Sequence, residues 1–552
     1  MSKRILIVGG VAGGASCAAR LRRLDEYADI FVYERSGDVS FANCGLPYYV
    51  GGVIADRRQL LLSTPERFRD IFRIEIRTRS EVRSIDRRNR TVEVFNLQTG
   101  AQSTEPYDVL VLAPGAAPVR PPLPGIDLPG VFVLRNLDDV DAIHAWIAQH
   151  EADRAVVVGA GYIGLEMVEN LSRRGVTVTV LEMADQVLPL MDPEIAAPVY
   201  QELRKQDVEV RLSNAVTAFE PGPEGRINVV TRNVARFPAD VVILSVGVKP
   251  DVQLARAAGL EIGSLGGIRV DDQMRTSDPN IFAVGDAVEV RDFVTGQPAL
   301  IPLAGPANRQ GRIAANVICG RDAHFRGAQG TAVVGVFGVT VARTGATERS
   351  LRQAGIAYQK SYTHSLHHAG YYPGAERITI KLLFAPDSGR LLGAQAVGRA
   401  GVDKRIDVLA MAIQKGATVF DLEEAELCYA PQYGSAKDPV NMAGFVAGNI
   451  LRGDVDPAFW PQWKQQCAAG RMPVTLDVRP ASAVAAGAIP GTIRIPMGEL
   501  RARLDELPRD REIWVHCMVG QTSYYAVRLL QQHGFKVRNL AGGFTSYKME
   551  ES

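Results

Sequence analysis

The chain carries no excess of charge of one sign: 62 Lys and Arg stand against 61 Asp and Glu over 552 residues, a formal net charge of +1. A nucleic acid or an anionic membrane would call for a basic excess on at least one face, so the balance points to small-molecule work. Long apolar runs are also missing. No stretch reaches about 18 uninterrupted apolar residues, and no membrane span is expected. Cysteine is scarce and scattered: Cys17, Cys44, Cys319, Cys428, Cys467 and Cys517 include no C-x-x-C pair, which argues against a disulfide framework and against structural zinc. Cys517 has His516 beside it but no further ligands, so no metal is expected. The run from Lys3-Arg4 to Ala19 has the outline of a signal peptide, yet Gly9, Gly10, Gly13 and Gly14 interrupt it. A cytoplasmic chain is expected.

What is present is ordinary globular composition, 46% hydrophobic and 22% charged, in a chain long enough for three or four domains at roughly 150 residues each. Two segments, Arg4–Glu34 and Ala155–Glu182, read as strand, glycine turn, helix, strand. They imply two nucleotide-binding halves. Further buried strands end in glycine turns at Gly115, Gly247 and Gly285-Asp286, and Pro118–Pro129 forms a proline-rich hinge. From about Gly327 to Gly448, strand-like stretches (Thr331–Val341, Ile378–Phe384) mix with a helical one (Asp407–Gln414), as in an α+β domain. The segment holding Pro457, Trp460, Pro461 and Trp463 reads as a linker leading into a helix. After it, Val474–Val478, Ile513–Cys517 and Lys536–Leu540 alternate with helical patterns, a small separate α/β domain.

Gly9, Gly13 and Gly14, with Glu34 closing the next strand, stand where G-x-G-x-x-G and its downstream acid belong, although Val11 takes the place of the middle glycine. Such glycines let a helix N-terminus approach a pyrophosphate, and the acid can accept from a ribose hydroxyl. Gly159, Gly161 and Gly164 with Glu182 give the complete form. An acid at Glu182 accepts from a ribose 2′-hydroxyl and repels a 2′-phosphate, which favours NADH, with NADPH left possible. Two dinucleotide sites in one chain suggest a bound flavin and an exchanging nicotinamide with hydride passing between them. Tyr162, inside the second turn, either covers the flavin face or packs. Cys44 precedes Gly45-Leu46-Pro47, a helix start whose amide dipoles would lower the thiol pKa. Arg20 and Arg23, three residues apart, share one helix face.

The stretch Ser40-Phe-Ala-Asn43-Cys44-Gly-Leu-Pro-Tyr-Tyr49 resembles the active-site signature of the coenzyme A disulfide reductases, single-cysteine members of the pyridine nucleotide-disulfide oxidoreductase family. Leu303–Gly311, Tyr371-Tyr-Pro-Gly374 and Tyr429–Asp438 are similar to the same group, and the likeness runs from residue 1 to about 450. It implies FAD on Gly9, Gly13, Gly14, Glu34 and Asp286, and NAD(P)H on the second glycine turn. Cys44 would pair with the substrate's sulfur, since Tyr49 stands where two-cysteine relatives have their second cysteine. No histidine occurs from Asp421 to Ile450, where two-cysteine relatives supply a catalytic one. The resemblance implies Tyr429 as candidate proton donor or thiolate partner, reaching Cys44 from the other subunit of a homodimer, and adds Tyr371, while without it either tyrosine reads as ordinary packing. Coenzyme A phosphates would meet Arg23, and less closely Arg20, with Ser40 and Asn43 along the pantetheine arm.

Asp477-Val-Arg479, Ile489-Pro-Gly491, Cys517-Met-Val-Gly520 and Gly542-Gly543 resemble a single-domain rhodanese, whose loop cradles a cysteine persulfide with backbone amides. The family loop runs C-x-x-G-x-R, and Thr522 replaces the arginine. Weakened sulfur transfer at Cys517 is expected, an inactive docking domain being the alternative.

The fold expected is therefore α/β. It comprises an FAD-binding domain (1–117 and 251–326), an NAD(P)H-binding domain (118–250), an α+β dimerisation domain (327–450) and a rhodanese-like α/β domain (465–552). The activity expected is reduction of coenzyme A persulfide, polysulfide-derived persulfide or coenzyme A disulfide by NAD(P)H. Rivals are an oxygen- or peroxide-reducing flavoenzyme using a cysteine sulfenic acid, and a redox-sensing binding protein.

Overall fold

The computed structural model describes residues 2–485 and 487–551, without the side chain of Glu224; Met1, Ala486 and Ser552, which the expected domain bounds include, lie outside the described residues. The chain forms two compact units, Met1–Asp185 with Asp207–Gly330, and Gln186–Gln206 with Thr331–Ser552.

The first unit contains two five-stranded parallel sheets. One runs Ile281–Ala283, Val109–Leu112, Arg4–Val8, Asp29–Tyr33, Glu75–Arg77, with Val8 opposite both Tyr33 and Leu112. The other runs Glu209–Arg211, Thr177–Leu181, Arg154–Val158, Val241–Leu244, Val131–Val133. Their central strands are unbroken apolar runs such as Val109-Leu-Val-Leu112, all buried, as a sheet covered on both faces requires. The same register places Gly9 and Gly159 just past the carboxyl ends of the first strands, where crossover helices begin. That crevice is where open α/β sheets bind ligands.

The helix Ala12–Leu24 buries Cys17, Ala18 and Leu21 and crosses the helix Ala304–Ile318 so closely that a Cβ at Gly311 would strike the Gly13 carbonyl oxygen. Two three-stranded antiparallel sheets, Ser80–Pro106 and Val216–Ala239, have no counterpart in the sequence reading. Apart from the buried Ile227–Thr231, their strands are half-exposed and lack a long apolar signature.

In the second unit an antiparallel five-stranded sheet runs Ala332–Val336, Val339–Gly345, Leu391–Gly398, Arg377–Phe384, Gln359–Leu366. The stretch expected as one strand over Thr331–Val341 is a hairpin: Phe337 and Gly338, with φ of 47° and 81°, form the turn between the paired Val336 and Val339. The helix expected over Asp407–Gln414 spans Val402–Lys415, bounded by left-handed Gly401 and Gly416.

The rhodanese-like region holds a parallel sheet in the order Pro457–Ala458, Val537–Leu540, Ile513–His516, Val474–Asp477, Ile493–Arg494. Pro457–Ala458, within the segment read as a linker, thus supplies an edge strand, and Trp460 and Trp463 are core residues. The sheet begins ahead of residue 465, and the two-residue strand is too short for any periodicity to reveal.

Candidate active site

In the first glycine turn, Gly9 has φ of 96° and a Cβ there would run into the Ala113 carbonyl, while one at Gly14 would strike the Gly9 carbonyl. Only glycine lets strand and helix meet so closely. Glu34 accepts from the Gly10 and Ser36 backbone N–H groups, both at 2.8 Å. In the second turn Glu182, buried, accepts from Ala160 N and Ala184 N at 2.7 Å each, and a Cβ at Gly161 would meet nothing within 4 Å. Tyr162 opens the helix that follows.

Asp286 sits in the short turn Gly285–Ala287, where Gln310 accepts from Gly285 N at 2.7 Å. Burial, only partly opposed by Arg135, raises its pKa to about 6, and its carboxylate has no hydrogen-bond partner among the described residues. A half-buried acceptor left open suits a ligand rich in hydroxyls. Two dinucleotide cradles and an open acid beside the first therefore fit a flavin and a nicotinamide dinucleotide.

Cys44 lies in the turn Asn43–Gly45, which runs into the helix Leu46–Val50. Cys44 is exposed, yet its thiol pKa is raised, first by burial and then by the Glu166 and Asp286 carboxylates. This corrects the expected lowering. A five-residue helix aligns few peptide dipoles, whereas burial first, and then the Glu166 and Asp286 carboxylates, disfavour the thiolate. Glu166, which sequence reasoning missed, accepts from the Tyr48 hydroxyl at 3.2 Å and is itself held above the ordinary carboxylate range by burial. Its signal was available, two residues past Gly164. Tyr49 stacks on His144, ring centroids 5.4 Å apart, so the second-cysteine position is an aromatic contact.

Arg20, Arg23 and Ser40 line one cleft of about 480 Å³, joined by Arg67 and Arg312. The latter two come from separate helices, and no local pattern linked them to Arg20. Asn43 is not among the lining residues; its amide donates to the Arg135 carbonyl at 3.4 Å.

In the second unit Tyr371 and Tyr429, 58 residues apart in sequence, meet hydroxyl to hydroxyl at 2.7 Å, both exposed. That hydrogen bond raises the Tyr371 pKa. Elsewhere Asp192, Glu194 and Glu348 converge like a metal site, but the Lys381 ammonium lies among all three, 2.7 Å from Asp192 and 2.6 Å from Glu348. The cluster is a buried ion network.

Cys517 follows directly on the strand Ile513–His516 and is buried; Gly520 N and the Ser523 hydroxyl donate to its sulfur at 3.2 and 3.4 Å. Below it, Arg479 and Asp477 form a buried pair at 2.7 Å, with His516 held neutral-leaning by burial. Thr522 is half-buried on the helix Gln521–Gln532.

Comparison with known proteins extends these observations. Residues 3–311 match the pyridine nucleotide-disulphide oxidoreductase family, 331–438 that family's dimerisation domain, and 461–550 the rhodanese-like domain. A coenzyme A disulfide reductase of Staphylococcus aureus (strain bovine RF122 / ET3-1) is 39% identical over 445 residues, 80% of this chain and 99% of the relative. The solved structure of reduced Bacillus anthracis CoADR-RHD is 47% identical with a TM-score of 0.97, covering 100% of this chain and 98% of that one. A NAD-dependent persulfide reductase from A. fulgidus is 39% identical with a TM-score of 0.92, covering 99% of this chain and 100% of its own. Twin dinucleotide cradles, a lone cysteine beside the first and likeness along almost the whole length agree: the chain belongs to the pyridine nucleotide-disulphide oxidoreductase family.

Proposed function

We propose that the protein is a homodimeric, cytoplasmic flavoenzyme that uses NADH to reduce coenzyme A persulfide, polysulfide-derived persulfide or coenzyme A disulfide at Cys44, with Cys517 as a sulfur carrier. One observation carries this reading: the arginine cleft includes Ser40, four residues before Cys44, so an anionic handle held by Arg23, Arg67 and Arg312 would have its thiol end directed along the Cys44 segment. Coenzyme A is such a molecule, phosphates at one end and sulfur at the other. The two full-length structural neighbours, described as CoADR-RHD and persulfide reductase, support the substrate class. We assign FAD binding to 1–117 with 251–326, NAD(P)H binding to 118–250, dimerisation to 327–450, and sulfur carriage to a rhodanese-like domain over 465–552 preceded by its edge strand Pro457–Ala458.

FAD, when bound against Gly9, Gly13, Gly14, Glu34 and Asp286, supplies the two-electron link between NADH and sulfur. Gly159, Gly161, Gly164 and Glu182 hold the NADH, with Tyr162 at the mouth of that turn. The Cys44 thiolate attacks the coenzyme A sulfur of the substrate, forming a Cys44–coenzyme A disulfide. Hydrosulfide leaves from a persulfide, and coenzyme A thiolate from a disulfide. Two electrons and one proton then split the mixed disulfide into Cys44 thiolate and coenzyme A thiol. The Tyr371–Tyr429 pair, offered by the partner subunit, holds the proton for the departing thiolate. Asn43 steadies the turn that carries Cys44. A fused sulfur-carrying domain favours persulfide over disulfide, Cys517 accepting sulfane sulfur and passing it to coenzyme A.

The test is an anaerobic comparison of kcat/KM for coenzyme A persulfide, coenzyme A disulfide and peroxide in wild type and Cys44→Ser. Highest activity on a coenzyme A substrate, lost in Cys44→Ser while NADH still bleaches the flavin, is expected. Peroxide as the best substrate would overturn the reading.

A further inference from the structure

The final helix, Gly543–Glu550, starts in a turn wedged between the Cys517 loop and the antiparallel sheet. Toward the loop, Phe544 N donates to the Cys517 carbonyl at 2.8 Å, and Thr545 donates to the Met518 carbonyl through both its N–H and its hydroxyl at 2.9 Å. Space there is tight: a Cβ on Gly543 would lie 2.5 Å from the Cys517 oxygen and 2.9 Å from Gly520 N, the amide that donates to the cysteine sulfur. Toward the sheet, the Ser546 hydroxyl meets His364 Nε2 at 2.9 Å, and His364 Nδ1 meets the Thr379 hydroxyl at 2.8 Å. His364 and Ser546 are both buried, and a Cβ on Gly542 would lie 2.7 Å from His364 Nε2.

We infer that His364, a residue of the dimerisation sheet, is a positioning residue for Cys517: it holds Ser546, and through it the Gly542–Thr545 turn whose backbone shapes the sulfur cradle. The inference rests on the reading of Cys517 as a sulfur acceptor. Burial and Arg377 push the His364 pKa down to about 3, so the ring holds Ser546 as a neutral hydrogen-bonding group. The resemblance to a rhodanese loop would put a cation where Thr522 stands, so the cradle rests on its backbone amides. Directed amides stabilise a developing sulfur anion only when held within tenths of an ångström of their working positions.

Thiosulfate is the probe. The Cys517 thiolate attacks its sulfane sulfur, the sulfur–sulfur bond of thiosulfate breaks, sulfite leaves with the electron pair, and Cys517 carries a persulfide. Loading is followed in the full-length FAD enzyme by sulfite release and by the mass of the Cys517 peptide, with Cys517→Ser as the blank. His364→Ala should slow loading on the order of tenfold. His364→Gln, which keeps a polar group for Ser546, should recover most of it. Ser546→Ala should match His364→Ala, the double variant should add little, and NADH-dependent reduction of coenzyme A disulfide should be unchanged throughout. Wild-type loading in both His364→Ala and Ser546→Ala, or failure of His364→Gln to recover, would overturn the inference. No loading in wild type would overturn the sulfur-acceptor reading and this inference with it.

Discussion

Neutralising a guanidinium in the arginine cleft should weaken the grip on coenzyme A and leave the sulfur chemistry intact. Arg20, Arg23, Arg67 and Arg312 border the cleft with no carboxylate among its lining residues. Burial first, and then the neighbouring Arg312, Arg321 and Arg23, lower the Arg20 pKa, while Arg20 Nε is already committed to Asn316 at 3.0 Å. Arg23 and Arg312 are therefore the informative positions. A hydrogen bond to a charged group contributes about 1.5–3 kcal/mol, and exposure places each guanidinium at or below the lower end, about 1.4 kcal/mol or tenfold in binding. Arg23→Gln and Arg312→Gln should each raise KM for coenzyme A persulfide about tenfold, with kcat nearly unchanged because Cys44 is untouched. The double variant should fall short of a hundredfold, since neighbouring charges couple. The assay is anaerobic NADH oxidation with coenzyme A persulfide and, in parallel, glutathione persulfide, which has no phosphates. At about 0.5 M salt the contrast between wild type and variants should narrow, as screening shortens the reach of the charges. An equal rise in KM for both persulfides, or none for either, would refute the reasoning.

Three further outcomes are expected. Glu182, buried on the Ala160 and Ala184 amides, should give NADH at least about tenfold higher kcat/KM than NADPH, on the order of 1.4 kcal/mol; a preference for NADPH would show that other residues decide the pocket. Mixing Cys44→Ser with Tyr429→Phe subunits should restore activity, because one site of each heterodimer then has both groups intact, and no recovery after verified exchange would count against a shared site. Lys381→Met should cost about 3 kcal/mol, roughly 6–12 °C in melting temperature, at pH 8. Glu348 and Glu194 are held below the ordinary carboxylate range by Lys381 against the pull of burial, so in wild type their stabilisation is present above the unfolded value and fades as pH falls through the lower folded values. In the variant the same carboxylates repel one another and gain from protonation. The melting difference should shrink from pH 8 to pH 5 in scanning calorimetry, and a constant difference would show that lost packing, not charge, sets the cost.

Local sequence determined what depends on backbone geometry within a few residues. Gly9, Gly14 and Gly159 could be read directly, because a tight strand-to-helix turn admits no Cβ, and Glu34 and Glu182 followed from the length of one strand. The turn that carries Cys44 was legible for the same reason, Asn43–Gly45 running directly into the helix Leu46–Val50. Tertiary structure alone decided what depends on distant segments coming together. Arg67 and Arg312 join Arg20 only because their two helices pack against the helix Ala12–Leu24, and Tyr371 meets Tyr429 although they lie 58 residues apart in sequence. The Cys44 thiol shows the limit best: its short helix promised a lowered pKa, but burial and the Glu166 carboxylate, brought from a helix more than a hundred residues away, raise it. A dipole is written in consecutive residues, whereas desolvation and through-space charge exist only once the chain has folded.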